Sequence, residues 1–122
     1  MKVSILLPYK ENFSPEYAGA VSLFVKDTVK ISNYKKNITV YGNTSYKKGF
    51  KIKYKNLNLK KKFLNSTSKI YVKSFLNEEL KNNSDIIEIH NRPLYVKPIV
   101  DVINSKIILY YHNDPLSMSG SE

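Results

Sequence analysis

The sequence predicts an α/β fold with a Rossmann-like sheet that is doubly wound and mainly parallel. Short apolar runs alternate with longer segments of helical periodicity, which is the pattern that βα units produce. Two of the runs, residues 86–89 and 107–111, are mostly apolar, as expected for strands buried on both faces of a parallel sheet. The length of 122 residues suits a single domain spanning residues 1–122.

The first strand and the first helix are predicted within residues 3–31. Residues 3–7 are a compact apolar run that stops at Pro8, and a loop follows over residues 9–17. A helix then begins near Gly19, because apolar side chains recur at helical spacing from there. The predicted buried face consists of Val21, Phe24, Val25, Thr28 and Val29, followed by Ile31.

Two further strands are predicted before the second helix. Residues 38–41 form one of them, which ends at the turn signal of Gly42 and Asn43. Residues 50–55 alternate between apolar side chains and lysines, so this strand has one face in solvent and lies at an edge of the sheet. The aromatic residues of this region are predicted to face the core: Tyr46, Phe50, Tyr54 and Phe63.

The second half of the chain completes the order β-α-β-β-α-β-α-β. Residues 66–68 offer candidate N-caps for a helix that ends at residues 82–83. A strand over residues 86–89, a helix of about three turns over residues 94–104 and a strand over residues 107–111 follow. The buried face of the helix after the N-cap is predicted to consist of Tyr71, Val72, Phe75, Leu76 and Leu80.

Each of the last two predicted strands ends in a polar cluster that begins with His-Asn. These clusters are His90, Asn91 and Arg92 after one strand and His112, Asn113 and Asp114 after the other. The carboxyl ends of neighbouring parallel strands meet at the edge of an α/β sheet where ligands bind. We therefore predict that both clusters line one ligand site, although a purely structural role is the alternative for each histidine.

Gly19 and Arg92 have two interpretations each. Gly19 either lets an anion approach the exposed N–H groups of the first helix or is only a turn residue. Arg92 either binds an anionic group or pairs with Glu88 or with Asp114. Glu11, like Glu16 in the same loop, is within reach of the predicted cleft. No carboxylate pair at glycosidase spacing is evident, so hydrolysis is not predicted.

The composition limits the choice of partners and cofactors. A net charge of +10 comes almost wholly from lysine, with Arg92 as the one arginine. This charge serves solubility, or attraction to an anionic substrate or membrane surface. Nucleic acid is less expected, because lysine is poorly suited to bidentate recognition. With no cysteine and two histidines, we predict no disulfide and no metal site. No apolar run approaches the roughly 20 residues that cross a bilayer, which predicts a cytoplasmic domain.

With these elements in place, nearly the whole chain resembles the amino-terminal part of a GT-B glycosyltransferase of family 4, the retaining "group 1" transferases. The first strand, Lys-Val-Ser-Ile-Leu-Leu-Pro, enters a long loop, and Ala18-Gly19-Ala20-Val21 occupies the position of that family's Gly-rich turn. Asp-Ile-Ile-Glu-Ile-His-Asn-Arg-Pro from residue 85 is similar to its DIIHxHNRP strand. Tyr-Tyr-His-Asn-Asp-Pro from residue 110 is similar to its HNDP strand end.

The resemblance implies metal-independent sugar transfer with retention, from a nucleotide-sugar donor and without a cofactor. It places Gly19 near the donor phosphates, although Ala18 stands where many members have a second Gly. It gives His112 a catalytic position beside the transferred sugar. It puts His90, Asn91, Arg92, Asn113 and Asp114 at substrate-binding positions towards a glycan or lipid-linked acceptor.

The resemblance also implies a second, carboxyl-terminal domain that grips the nucleotide-sugar with a basic pair and a glutamate motif. Those motifs are not in these 122 residues, so we expect a fragment that is inactive alone, from an enzyme of cell-surface polysaccharide or lipopolysaccharide synthesis. Peripheral contact with the anionic inner face of the membrane would use the positive charge. The alternative function is a basic α/β module that binds nucleic acid or a protein partner without catalysis.

Overall fold

Five parallel strands form the centre of the structure. The computed structural model describes residues 1–59 and 66–113. Within them the strands are β1 (Val3–Leu6), β2 (Ile38–Gly42), β3 (Tyr54–Asn56), β4 (Ile86–His90) and β5 (Lys106–Tyr110). Their order across the sheet is β3-β2-β1-β4-β5, and every neighbouring pair is parallel. This confirms the predicted α/β fold with a Rossmann-like parallel sheet.

Helices cover both faces of this sheet, as expected for a doubly wound fold. The α-helices are α1 (Ala20–Ile31), α2 (Thr67–Asn82) and α3 (Val96–Val100), and 3-10 turns occur at Lys35–Asn37 and Pro93–Tyr95. Val21, Val25 and Val29 of α1 pack on one face of β1 and β2. The buried side chains of α2 and α3 pack on the opposite face together with Leu6, Ile87 and Ile89. None of the described helices combines the length and the hydrophobicity needed to cross a bilayer.

The buried face of α1 is narrower than its sequence pattern predicts. Val21, Val25 and Val29 are buried together with Ser22, whereas Phe24 is 41% exposed and Ile31 is 84% exposed. Thr28 is also exposed. The helix lies over β1 and β2, so Phe24 projects from its flank towards the ends of β4 and β5, where it contacts imidazole rings. The prediction that Phe24, Thr28 and Ile31 are core residues is therefore wrong.

The predicted ends of α2 are confirmed, but one of its predicted core residues is wrong. Ser66 caps the helix by accepting a hydrogen bond from the Lys69 N–H at 3.2 Å. Asn83 ends it in the left-handed conformation with φ of 55°. Leu80 is 64% exposed, whereas Glu79 is 2% exposed. Position 79 lies on the same helical face as Val72, Phe75 and Leu76. Glu79 is therefore buried by its position on the helix, although its side chain is polar.

The predicted alternating strand over residues 50–55 is shorter in the structure. Pairing in β3 begins only at Tyr54, because the Ile52 N–H donates to the Phe50 carbonyl at 2.9 Å and folds the preceding residues into a tight turn. The Phe50 ring then packs against Phe13, with 4.9 Å between ring centroids. The predicted edge position of this strand is confirmed, since β3 has β2 as its one neighbour in the described sheet.

The predicted three-turn helix over residues 94–104 is also shorter, with one 3-10 turn followed by the five residues of α3. Pro98 has no N–H to donate to the carbonyl four residues earlier, so the segment cannot form one continuous α-helix. Residues 107–111 are not fully buried as predicted. Among the described residues β5 forms the second edge of the sheet. Its apolar side chains are half-buried, and Tyr111 is 39% exposed.

Candidate functional site

The two predicted His-Asn pairs lie side by side at the carboxyl ends of β4 and β5. His90 is aligned with Tyr110 in the register of the two strands. The chain then continues to His112, whose Nε2 lies 2.9 Å from Nδ1 of His90. The sequence-based prediction that these imidazoles meet at one edge of the sheet is confirmed.

Asn91 holds the two strand ends together. Its backbone adopts φ of 59°, a left-handed conformation that asparagine tolerates better than most residues. Its N–H donates to the Tyr110 carbonyl at 2.8 Å, and its side-chain Oδ1 accepts from the His112 N–H at 3.1 Å. Asn91 is buried, with 8% exposure, so in this structure it positions His112 rather than presenting a side chain to solvent.

The two imidazoles differ in their access to solvent. His90 is 1% exposed, whereas His112 is half-buried. A ligand can therefore reach the ring of His112, whereas the buried ring of His90 contacts the His112 ring from the protein interior. Burial lowers the pKa of His112, and the nearby His90 lowers this pKa further, while the Glu11 carboxylate partly opposes both effects. His112 is therefore neutral at pH 7 and can accept a hydrogen bond.

Aromatic rings enclose the imidazole pair. Tyr110 stacks on His90 with centroids 4.8 Å apart and an interplanar angle of 2°. Phe24 meets His112 edge-to-face, with centroids 5.0 Å apart. Both residues were missed as site residues. Position offered a signal for Tyr110, since it is the last residue of β5 and lies two residues before His112.

Glu88 contacts the buried imidazole of the pair, His90. Its Oε2 lies 3.4 Å from Nε2 of His90, at the long end of hydrogen-bonding distance. Glu88, Phe24 and Tyr110 also line a hollow of about 120 Å³ between α1 and the sheet. Neither histidine lines this hollow, so it adjoins the imidazole pair only through Glu88, Phe24 and Tyr110.

Gly19 lies at the start of α1, and its backbone N–H donates to Oε2 of Glu11 at 3.2 Å. A Cβ atom at this position would meet the Glu11 carboxylate, so the flexible Glu11 side chain would have to shift. The charge of Glu11 also raises the pKa of His112, so the two side chains interact electrostatically. The Glu11 carboxylate thus occupies the helix start where the resemblance places donor phosphates.

The remaining predicted site residues lie around the same rim. Arg92 donates from Nη1 to the Asn91 carbonyl at 2.7 Å, and within residues 1–59 and 66–113 it forms no ion pair with Glu88. Asn113 accepts from Nδ2 of Asn91 at 3.4 Å and is exposed. Asp114 lies outside the described residues. No group of three or more potential metal-ligating side chains occurs in the described part of the chain.

A second polar concavity lies between α2 and the β2–β3 edge, with a volume of about 450 Å³. Lys53, Lys55 and Lys81 line it, and Lys55 forms an ion pair with Glu78 at 2.6 Å. The walls of this concavity come from elements that are distant in the chain, so it could not be predicted from the sequence.

The aromatic residues of the lysine-rich region have different environments. Phe50 and Tyr54 pack inward on Phe13, as predicted. Tyr46 is 36% exposed and stacks on Tyr17, so its predicted core position is wrong. Phe63 and the lysines at 60–62 lie outside the described residues. The inward packing of Phe50 and Tyr54 leaves neither ring free to stack on a base.

Comparison with known proteins adds no relative: no family model matches the chain, and neither the curated proteins nor the solved structures contain a significant match to it. The geometry of the site is therefore the basis for a function.

Proposed function

We propose that the chain is the acceptor-side half of a nucleotide-sugar-dependent retaining glycosyltransferase. The observation that carries the proposal is the contact of 2.9 Å between His90 and His112 at the adjoining ends of β4 and β5. Phe24 of α1 and Tyr110 pack against this pair, and both also line a neighbouring hollow. In open α/β sheets, ligands bind outside the carboxyl ends of the strands, which is where this pair lies.

His112 is the proposed catalytic residue. Its half-buried, neutral ring is suited to hydrogen-bond a hydroxyl of the transferred sugar. Its backbone carbonyl would help to stabilise positive charge that develops at the anomeric carbon. His90, Asn91, Arg92 and Asn113 form the proposed acceptor side, together with Asp114.

The donor is a nucleotide-sugar, and its phosphates approach Gly19. The Gly19 N–H already donates a hydrogen bond to the Glu11 carboxylate. The carboxylate must therefore move away before a phosphate oxygen can accept from the same N–H group. Neutralisation of the phosphates and exclusion of water come from an opposing domain in this proposal. Since such electrostatic terms dominate transfer chemistry, the chain alone does not turn over.

The acceptor is a glycan or lipid-linked precursor of cell-surface polysaccharide or lipopolysaccharide, and the protein acts in the cytoplasm at the inner face of the membrane. The exposed lysines of the β3 edge support this location, because each lysine near an anionic surface contributes about 1 kcal/mol of attraction. The exposed lysines of this edge include Lys47, Lys48, Lys51 and Lys53.

The proposal is tested by assaying UDP-sugar and GDP-sugar transfer and hydrolysis with two proteins. One is the chain alone, and the other is the chain joined to a carboxyl-terminal nucleotide-sugar domain. We expect turnover in the joined protein and none in the chain alone. Equal turnover in both would contradict the half-site mechanism, and no turnover in the joined protein with any donor would contradict the function.

A filter-binding titration with single-stranded RNA at two salt concentrations distinguishes the alternative, a nucleic-acid-binding module. Phosphate contacts release counterions, so such a module would lose affinity steeply as salt rises. We expect only weak binding at physiological salt, because Phe50 and Tyr54 pack on Phe13 and are not available for base stacking. Sub-micromolar binding there would favour the alternative.

A further inference from the structure

Glu88, His90 and His112 form a continuous chain of polar contacts. Oε2 of Glu88 lies 3.4 Å from Nε2 of His90, and Nδ1 of His90 lies 2.9 Å from Nε2 of His112. Glu88 and His90 share one face of β4 because they are two residues apart on a strand. Both nitrogens of His90 are thereby engaged, and its ring is 1% exposed.

This arrangement has a consequence for the protons of a neutral imidazole pair. The contact between the two rings needs one N–H donor and one bare nitrogen. If Nδ1 of His90 carried the proton, Nε2 of a neutral His90 would be bare and would face the Glu88 carboxylate, lone pair against lone pair. If Nε2 carries it, His90 donates to Glu88 and accepts from His112. The carboxylate therefore favours the second arrangement.

We propose that Glu88 and His90 are positioning residues that hold His112 as its Nε2–H tautomer, leaving Nδ1 of His112 as a bare acceptor for a ligand hydroxyl. The assignment of that hydroxyl to a sugar rests on the proposed glycosyltransferase function. The tautomer itself does not, since it follows from the contacts within the chain.

The surroundings of the pair support this assignment. Tyr110 stacks on His90 and Phe24 packs edge-on against His112, which fixes both ring planes. Asn91 fixes the backbone of His112 by accepting from its N–H. The Nδ1 atom of His112 has no hydrogen-bond partner among the described residues. This nitrogen is therefore available to a ligand at the open rim.

The direct test is a long-range ¹H–¹⁵N NMR spectrum of the imidazoles in the chain without any ligand, at a pH above the pKa of His112. We expect protonated Nε2 and bare Nδ1 in both rings. A protonated Nδ1 in His112, or an even mixture of its tautomers, would overturn the proposal. This measurement needs no variant, so it decides the proposal even if substitutions impair folding.

Glu88→Gln tests the source of the preference. The glutamine amide can either donate or accept towards Nε2 of His90, so it removes the selection by the carboxylate. We expect the ratio of the Nε2–H tautomer to the Nδ1–H tautomer of His112 to fall by about tenfold. This is the size of effect expected when one hydrogen bond to a charged group is lost. The matched control is Glu78→Gln, which removes the same charge from α2 far from the imidazoles. An unchanged ratio in Glu88→Gln would overturn the positioning role.

The two levels of the proposal fail separately. If the NMR result is as expected but the joined protein transfers no sugar, the tautomer assignment stands and the sugar assignment falls. If the joined protein transfers sugar while His112 is the Nδ1–H tautomer, the function stands and the positioning role of Glu88 and His90 falls.

Discussion

Glu79 lies on the buried face of α2 with 2% exposure, and neither of its carboxylate oxygens has a hydrogen-bond partner among the described residues. Tyr41 lies close enough for the Glu79 charge to raise the pKa of its hydroxyl, an effect second to that of burial. Taking a polar group out of water without a partner is unfavourable, and more so for a charged one. The residue therefore lowers the stability of the fold at this position.

We predict that Glu79→Leu stabilises the chain. The substitution removes the desolvation cost of the carboxylate and adds apolar surface next to Phe75, so the free energy of unfolding should rise by about 1–3 kcal/mol. Urea denaturation followed by circular dichroism measures this change. Glu78→Leu, on the partly exposed side of the same helix, removes a surface ion pair with Lys55; it is the control and should change stability little. A loss of stability in Glu79→Leu would show that the carboxylate has a partner.

The Glu11 carboxylate couples the start of α1 to His112. Because its charge raises the pKa of His112 against the lowering effects of burial and His90, Glu11→Gln should lower that pKa further. His112 then takes up its proton at more acidic pH. An NMR titration of the His112 ring protons measures the change, with Glu16→Gln in the same loop as the control. A pKa that rises or stays constant in Glu11→Gln would contradict the placement of Glu11 beside the imidazole.

At the scale of elements, the sequence predicts the order of all five strands and three helices correctly, because hydrophobic periodicity is a local property. The prediction of buried residues is wrong where an apolar side chain fits the local pattern but does not face the sheet in the folded chain. Phe24 and Leu80 fit an apolar helical stripe but lie outside the faces that meet the sheet. Pro98, in the first turn of α3, cannot donate to the Leu94 carbonyl, and residues 93–95 form a 3-10 turn rather than part of the α-helix.

For the candidate site, the sequence likewise predicts the local features but not the contacts between elements. Its strand-end position could be predicted from His90 and His112, since carboxyl ends of adjacent parallel strands converge. The contacts of Glu88, Phe24 and Glu11 with the imidazoles or the helix start depend on how three elements pack. Pairwise distances between elements are not encoded in local periodicity, so these contacts required the structure.

The N-cap of α2 offers a test of an element predicted from sequence alone. Ser66→Ala removes the hydrogen bond from the Lys69 N–H and should cost about 1 kcal/mol of unfolding free energy. Ser45→Ala, at an exposed loop position, is the control and should be nearly neutral. Thermal and urea unfolding of both variants measure the difference. Equal effects would contradict the assignment of Ser66 as the cap.

At the scale of the whole molecule, the two edges of the sheet differ in character. The β3 edge carries exposed lysines, which discourage pairing with another strand. The β5 edge carries half-buried apolar side chains, and Val100 and Val102 beside it are 46% and 53% exposed. The apolar edge is therefore the part of the described surface most prone to association.

We predict that the chain self-associates through the β5 edge at high protein concentration. Ile108→Lys places a charge on this edge and should shift the population towards monomer, as charged residues do on natural edge strands. Sedimentation velocity over a range of concentrations measures the distribution, with Thr28→Lys on the exposed side of α1 as the control. A wild-type chain that remains a monomer throughout would contradict the prediction.

If sugar is transferred at the imidazole pair at the ends of β4 and β5, transfer by the joined protein depends on His112. His112→Ala should lower kcat/KM by about 100-fold or more, since it removes a positioned hydrogen-bonding group from the reacting sugar. Lys97→Ala, on the exposed surface of α3, should leave transfer unchanged. Transfer that is equally fast in His112→Ala and in the wild-type protein would contradict the claim.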